Sequence, residues 1–350
     1  MKKEWLGWFT LMFLLSCKLP YHKSDVYTEK ADLTVDEAPH IKNSLEWWYF
    51  TGHLTDTIQQ RNFGVEYVVF HFNPTKIKGG WMVNMAITDA DRKQFYHDYK
   101  IIPKSKKEFA ELPLQFNWDK KKITTSLKGE AGNYTIAAKM NEQTVAFNLV
   151  TKATKNVVLH DNIGYESYGG IAKAGYYSFP RLATQGEILI EGETYKVNGE
   201  LWYDRQWNCS GVFNPGIAWD WFAVQFEETQ SELMVYSLYK KDGSLTVYGG
   251  TYTDRHGNST YLENEQIQLT VLKEWVSAES GYTYPIKWNI NVEDLDLKTT
   301  IEPVMPNQEL RLSTGPFTNF FYWEGMCYAS GTINGVAVRG NSYVEMNNRK

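Results

Sequence analysis

The sequence lacks the marks of several large protein classes. No cluster of basic residues occurs along its 350 positions, and its formal charge is −5. A polyanion would find no dense positive patch, so nucleic acid is not expected as a partner. No G-x-S-x-G elbow and no H-E-x-x-H pair is present, so the common serine and zinc hydrolase chemistries have no sequence support. The seven histidines are scattered between His22 and His256. His53 and His71 could meet on adjacent strands, but a hydrogen-bonded structural role is the stronger expectation without further ligands. Neither metal nor cofactor is therefore expected. Helical periodicity is missing as well. Short alternating runs bounded by Gly, Asn, Asp and Lys fill the chain instead, as strands and turns do.

What is present begins at the N-terminus. "MKKEWLGWFTLMFLLSC" sets Lys2 and Lys3 before an apolar run from Trp5 to Leu15. The run is too short to span a bilayer and has the layout of a secretory signal. "LLSC" resembles the bacterial lipobox, which implies lipidation of Cys17, removal of residues 1–17 as a leader, and a membrane anchor. By resemblance to the bacterial sorting rule, Lys18 after that cysteine implies the outer membrane of a bacterial envelope. No second run approaches spanning length, so the mature body is expected to be soluble. Residues 18–43 are polar and aperiodic and read as a tether. Cys209 and Cys327 remain as one possible disulfide, whose proximity the sequence leaves open.

The body repeats itself. "YSFPRLATQGEILIEGETYKVNGELWYD" from Tyr177 and "YWEGMCYASGTINGVAVRGNSYVE" from Tyr322 share a spacing. In each, a tyrosine precedes a glycine by nine residues (Gly186, Gly331). A turn glycine (Gly192, Gly335), a further glycine (Gly199, Gly340) and a strand ending in an acid (Asp204, Glu345) follow. Two copies are expected, 44–208 and 215–346, joined through "NCSGVFNPG", a stretch rich in turn formers. Many short strands at this spacing predict an all-β protein of two antiparallel barrels, since closure removes exposed edges.

Acids set among aromatics are the chemical lead. In "EWWYFTGHL", strand alternation places Glu46, Trp48, Phe50 and Leu54 on one face and Trp47, Tyr49 and His53 on the other. Both faces are apolar, so both must be covered. In "LWYDRQW", Asp204 shares a face with Trp202, while Tyr203, Arg205 and Trp207 share the opposite one. In "AWDWFAVQF", Asp220 heads the face of Phe222, Val224 and Phe226. A buried carboxylate must be paired or its pKa must rise. Arg181 and Arg205 are the available partners, so ion pairs with Glu46, Asp204 and Asp220, holding those acids ionised, are expected. The competing expectation is an acid kept protonated among tryptophans, for an aspartate a rise of about three units.

"SLEWWYFTGHL", "GYYSFPRLATQGEI", "GELWYDRQW", "GIAWDWFAVQF" and "YWEGMCYASGTING" resemble the AttH-like secreted proteins and the carotenoid 1,2-hydratases (hydroxyneurosporene synthases). The resemblance covers nearly all the chain from Ser44 and implies two lipocalin-like β-barrels in tandem. For activity it implies a hydratase that adds water to a terminal isoprenoid double bond, or a member with no assigned reaction. In the hydratases a histidine follows the aspartate of "LWYDRQW", and that histidine and the nearby tryptophan matter for activity. Here Trp207 is retained but Arg205 replaces the histidine, and a guanidinium is a poor proton donor near neutrality. The expected function is thus a lipid-anchored envelope protein binding a lipophilic small molecule. A hydratase-like lyase is the alternative, and an interaction module with purely structural aromatics is a third. The candidate catalytic residues are Asp204, Arg205, Trp207 and Asp220. The candidate ligand-binding residues are Glu46, Trp48, Arg181, Trp202, Trp219 and Trp221.

Overall fold

The computed structural model describes residues 30–73, 79–103, 111–118, 124–140, 144–209, 216–315 and 318–347. Cys17, the leader and most of the expected connection at 210–215 lie outside them. Among the described residues the only α-helix is α1 (Leu33–Asp36), capped by the Asp32 side chain on the Thr34 N–H. The rest of the regular structure is strand and short 3-10 turn, in two units.

One unit holds residues 30–165 and Ala174–Asn208. Its strands are β1 (Leu45–Asp56), β2 (Asn62–Phe72), β3 (Gly80–Asp89), β4 (Gln94–Pro103), β5 (Leu114–Asn117) and β6 (Thr124–Glu130). They continue as β7 (Asn133–Lys139), β8 (Val145–Ala153), β9 (Val158–Leu159), β10 (Tyr165–Glu166), β11 (Ala174–Ile190) and β12 (Glu193–Trp207). The main ladder runs β4-β3-β2-β1-β12-β11-β8-β7-β6-β5.

The other unit holds Glu166–Lys173 and residues 209–347. Its strands are β13 (Ile217–Phe226), β14 (Glu232–Lys240), β15 (Thr246–Thr253), β16 (Ser259–Leu262) and β17 (Ile267–Val276). Then come β18 (Thr283–Val292), β19 (Leu297–Pro303), β20 (Glu309–Gly315), β21 (Thr318–Ile333) and β22 (Val336–Asn347). The order is β16-β15-β14-β13-β22-β21-β19-β18-β17, which follows the antiparallel path of the first unit with one strand fewer. The fold is two tandem lipocalin-like β units. The unit boundaries differ from 44–208 and 215–346: residues 30–43 belong to the first unit, and 166–173, 209 and 347 to the second.

The repeated glycines have a physical cause. The hairpins β11–β12 and β21–β22 turn at Glu191-Gly192 and Asn334-Gly335, where all four residues have positive φ. Such turns match the twist of the flanking strands and favour Asn and Gly. Gly186 and Gly331 mark close strand crossings. A Cβ there would sit 2.0 Å from the Asn148 carbonyl and 1.8 Å from that of Lys298.

Alternation holds along β1. Trp48, Phe50 and Leu54 enter the first unit's core with Tyr67, Phe116, Tyr134, Phe147 and Tyr203. The rings interlock at 4.7 Å between Phe50 and Tyr203 and 5.0 Å between Trp48 and Phe116. Each buried aromatic removes about 150–250 Å² from water. Phe222, Val224 and Phe226 enter the second unit's core with Trp288 and Trp323, so Asp220 heads a core-facing row as its spacing predicts.

Candidate functional site

The described part of the expected tether is folded. Residues 30–43 lie against the core end of β1, and one ion pair organises them. Glu46 and Arg205 are both fully buried and meet at 2.6 Å. The register explains the meeting: Trp48 lies opposite Arg205, and Glu46 opposite Trp207, so the two side chains share the core face one step apart. Arg205 also donates to the carbonyls of Asp36 (3.1 Å), Ala38 (2.9 Å) and Gln206 (2.8 Å). Its guanidinium lies 4.0 Å over the Trp48 ring. Glu46 accepts in addition from the His40 N–H at 3.0 Å and faces His71 Nδ1 at 2.8 Å. Burial alone would push its carboxyl pKa up; the Arg205 guanidinium, with His40 and His71, outweighs burial and holds it well below the usual range.

The same segment reaches further in. Glu37 accepts from the Tyr134 hydroxyl and, at 2.7 Å, from the Ala131 N–H. Its own carbonyl accepts from Trp48 Nε1 at 2.9 Å. His40 stacks on Trp207 at 5.3 Å, and Trp207 belongs to the core. Arg205, Glu46, Trp48 and Tyr134 each hold the N-terminal segment through a hydrogen bond. Arg205 is thus a structural clamp, which agrees with its expected pairing to Glu46.

Asp204 does not follow that expectation. Strand alternation turns it to the opposite face of β12, away from Arg205. Its neighbours across the ladder are Tyr49 on β1 and Ser178 on β11. Asp204 Oδ1 accepts from Trp202 Nε1 at 2.6 Å and from the Ser178 hydroxyl; Oδ2 accepts from the Tyr176 hydroxyl at 2.8 Å. None of these donors is charged. The side chain is 4% exposed, and burial pushes its pKa up to about 7 against the three hydrogen bonds that favour the anion. The expected arginine pairing with a lowered pKa is therefore corrected: the donors around Asp204 are neutral, and burial raises its pKa.

Behind Ser178 lies His160, fully buried in the 3-10 turn that follows β9. Strand β9 pairs with β11, setting Val158 opposite Ser178 and bringing the imidazole Nε2 to 2.7 Å from the Ser178 hydroxyl. Its ring lies 3.9 Å from that of Tyr176. Burial lowers its pKa to about 3, so it is neutral at physiological pH.

The other candidates are dispersed. Arg181, at the bulge between Phe179 and Leu182, pairs with Glu200. Trp219 donates to Glu345 at 3.1 Å. Trp219 and Trp221 alternate onto the face opposite Asp220 and the second core. His53 and His71 do not meet: His53 lies opposite Gly64, whereas His71 lies opposite Glu46. Cys209 and Cys327 are separate, buried free thiols. Among the described residues no group of three or more His, Cys, Asp or Glu is placed to hold a metal ion, and no helix is long and apolar enough to cross a membrane. Tyr176, Ser178 and His160 are the members of the Asp204 cluster that spacing did not single out.

The AttH-like family model matches residues 26–349. The chain belongs to the AttH-like family. Among curated proteins there is no sequence match to it. The solved structure of an AttH protein from Nitrosomonas europaea is similar to this AttH-like chain with a TM-score of 0.80 at 23% identity, covering 93% of this chain and 99% of the other. Kievitone hydratase from Nectria haematococca is similar with a TM-score of 0.71 at 15% identity, over 95% and 96% of the two chains. CghA, solved with Sch210972, is similar with a TM-score of 0.57 at 10% identity, over 91% and 97%. At these identities the likeness establishes that the AttH-like chain shares their fold.

Proposed function

We propose that this AttH-like protein is a hydratase-type lyase acting on a double bond of a lipophilic, isoprenoid-like molecule, with Asp204 as its acid. The observation that carries the proposal is the environment of Asp204: a buried carboxyl, three neutral donors and a pKa near 7. An acid that protonates carbon must still hold its proton at working pH, and a pKa near that pH serves best. In the forward direction, the Asp204 proton forms a C–H bond as the π bond breaks. Water then adds to the other carbon and returns a proton to the carboxylate. The π faces of Trp202 and Tyr176, whose polar groups bond to Asp204, suit a transient cation. The solved hydratase of like fold supports this reaction class. Arg205, at the place of the hydratases' histidine, is committed to Glu46 and the N-terminal segment, which leaves proton transfer to Asp204.

The test is turnover of linear isoprenoids and prenylated phenols in ¹⁸O-labelled water, with product mass as the readout. Wild type is expected to yield an ¹⁸O-labelled alcohol, and a folded Asp204→Asn protein none. An unimpaired Asp204→Asn enzyme would overturn the assignment.

A second reading, lipophile binding without chemistry, is favoured by a cleft of about 640 Å³ in the second unit, bordered by Tyr239, Lys240, Thr246, Ser280 and Tyr282. Native mass spectrometry that finds a retained lipid, with no turnover of any probe, would select it. In either reading we place the protein in the bacterial envelope, anchored through a lipidated Cys17.

A further inference from the structure

Ser178 and His160 are polar and fully buried; Ser178 bonds to the candidate acid, and His160 to Ser178. A hydrolase-like triad would have the histidine between the serine and the aspartate. Here the serine stands between the other two, so the hydroxyl is spent on the carboxyl and is not activated as a nucleophile.

Donor counting shows what this order achieves. Trp202 Nε1 can only donate, and at 2.6 Å it occupies one lone pair of Asp204 Oδ1. The hydroxyl oxygen of a carboxylic acid is a poorer acceptor than its carbonyl oxygen. Oδ1, which takes two donors, therefore keeps carbonyl character when the acid is protonated. The Ser178 hydroxyl has a single proton, and the contact to Oδ1 uses it. Its oxygen must then accept from His160 Nε2 at 2.7 Å, which makes His160 the Nε2–H tautomer. The Oδ2 side is shared only with Tyr176, a phenol able to donate or accept.

We propose that Ser178 and His160 are positioning residues that hold Asp204 Oδ1 as an acceptor and so place the transferable proton on Oδ2, beside Tyr176. The inference deepens the hydratase proposal and rests on Asp204 being its acid. The groups facing Asp204 are Trp202 on its own strand, Tyr176 and Ser178 on β11, Tyr49 opposite it on β1, and His160 behind Ser178. His160 is neutral, so the pair acts through hydrogen bonds and not through charge.

The test is the Asp204 titration, followed by ¹³C NMR of aspartate-labelled protein and assigned with Asp204→Asn. Ser178→Ala removes a donor to the anion and is expected to move the midpoint up by about one unit. Ser178→Thr keeps the hydroxyl and should restore the wild-type midpoint. His160→Gln retains a donor at the site and should titrate closer to wild type than His160→Phe. A merely structural serine would change melting temperature without moving the midpoint. A folded Ser178→Ala or His160→Phe protein with the wild-type midpoint would overturn the proposal. A wild-type midpoint below pH 5 would instead remove Asp204 as the acid, whatever shift the variants show.

Discussion

Replacing Glu46 by glutamine leaves the Arg205 guanidinium fully buried without its counter-charge. Breaking a buried pair by removing one partner costs about 3–5 kcal/mol, because the remaining charge is stranded in a low-dielectric site. For a unit of this size that is a fall of roughly 10 °C in melting temperature. Arg205→Met removes the guanidinium from over the Trp48 ring, strands Glu46 instead, and removes the donors to the Asp36 and Ala38 carbonyls. It should therefore also loosen residues 36–40. The double variant leaves no unpaired charge and should be more stable than the two single losses summed, by about 1–3 kcal/mol. The pH dependence has a definite sign. Glu46 has a depressed pKa, so its contribution is present above about pH 4.5 and is lost as pH falls through the folded value. Glu46→Gln should flatten that acid limb. Urea unfolding of the four proteins by far-UV circular dichroism measures all of this. Single variants within about 1 kcal/mol of wild type would refute the clamp.

Asp204 carries the opposite linkage, since a raised carboxyl pKa favours the native state at low pH. Stability should fall as pH rises from about 4 to about 7 and level off above, by at most about 4 kcal/mol, and Asp204→Asn should lose that slope in denaturation curves at several pH values. Gly175→Ala should destabilise by a few kcal/mol, about 2 or more, since the new Cβ would lie 1.9 Å from the Trp207 ring; thermal melts compared with wild type would read this. Cys17→Ser should move the mature protein from the detergent to the aqueous phase, or block its processing, and N-terminal mass spectrometry would report the missing acyl chains. Cys209 and Cys327 should be unreactive to thiol reagents in the native protein and titrate as two thiols after unfolding.

The parts of this fold that could be read from sequence are those with a period. The two-residue alternation of "EWWYF" put Glu46 and Trp48 on one face, which the fold turns to the core, and the repeated glycines located two equivalent hairpins. Pairing of Glu46 with an arginine was expected without a choice between Arg181 and Arg205; the register settles on Arg205, since both residues sit on core-facing rows. The same alternation that separates Asp204 from Arg205 argued against their pairing, and motif proximity was the poorer guide. Residues 30–43 have no period because they are held by single contacts: a cap at Asp32, the Glu37 carboxyl, the His40 ring. Such a segment looks like a tether until its partners are known. His160 reaches Ser178 only because the two-residue strand β9 pairs with β11, a long-range event without a local signal. Tyr176 and Ser178 stood in plain view in "GYYSFP", but nothing in the spacing tied them to an aspartate 26 residues beyond Ser178.

The account depends most on Asp204 holding its proton near neutral pH inside the folded protein. Infrared difference spectra of wild type against Asp204→Asn, taken across pH 5 to 9, test this directly through the C=O stretch of a protonated carboxyl. The expected result is a band present at pH 5 in wild type only, fading with a midpoint near 7 while the fold persists. A difference spectrum with no protonated-carboxyl band at pH 6, in two equally folded proteins, would contradict it.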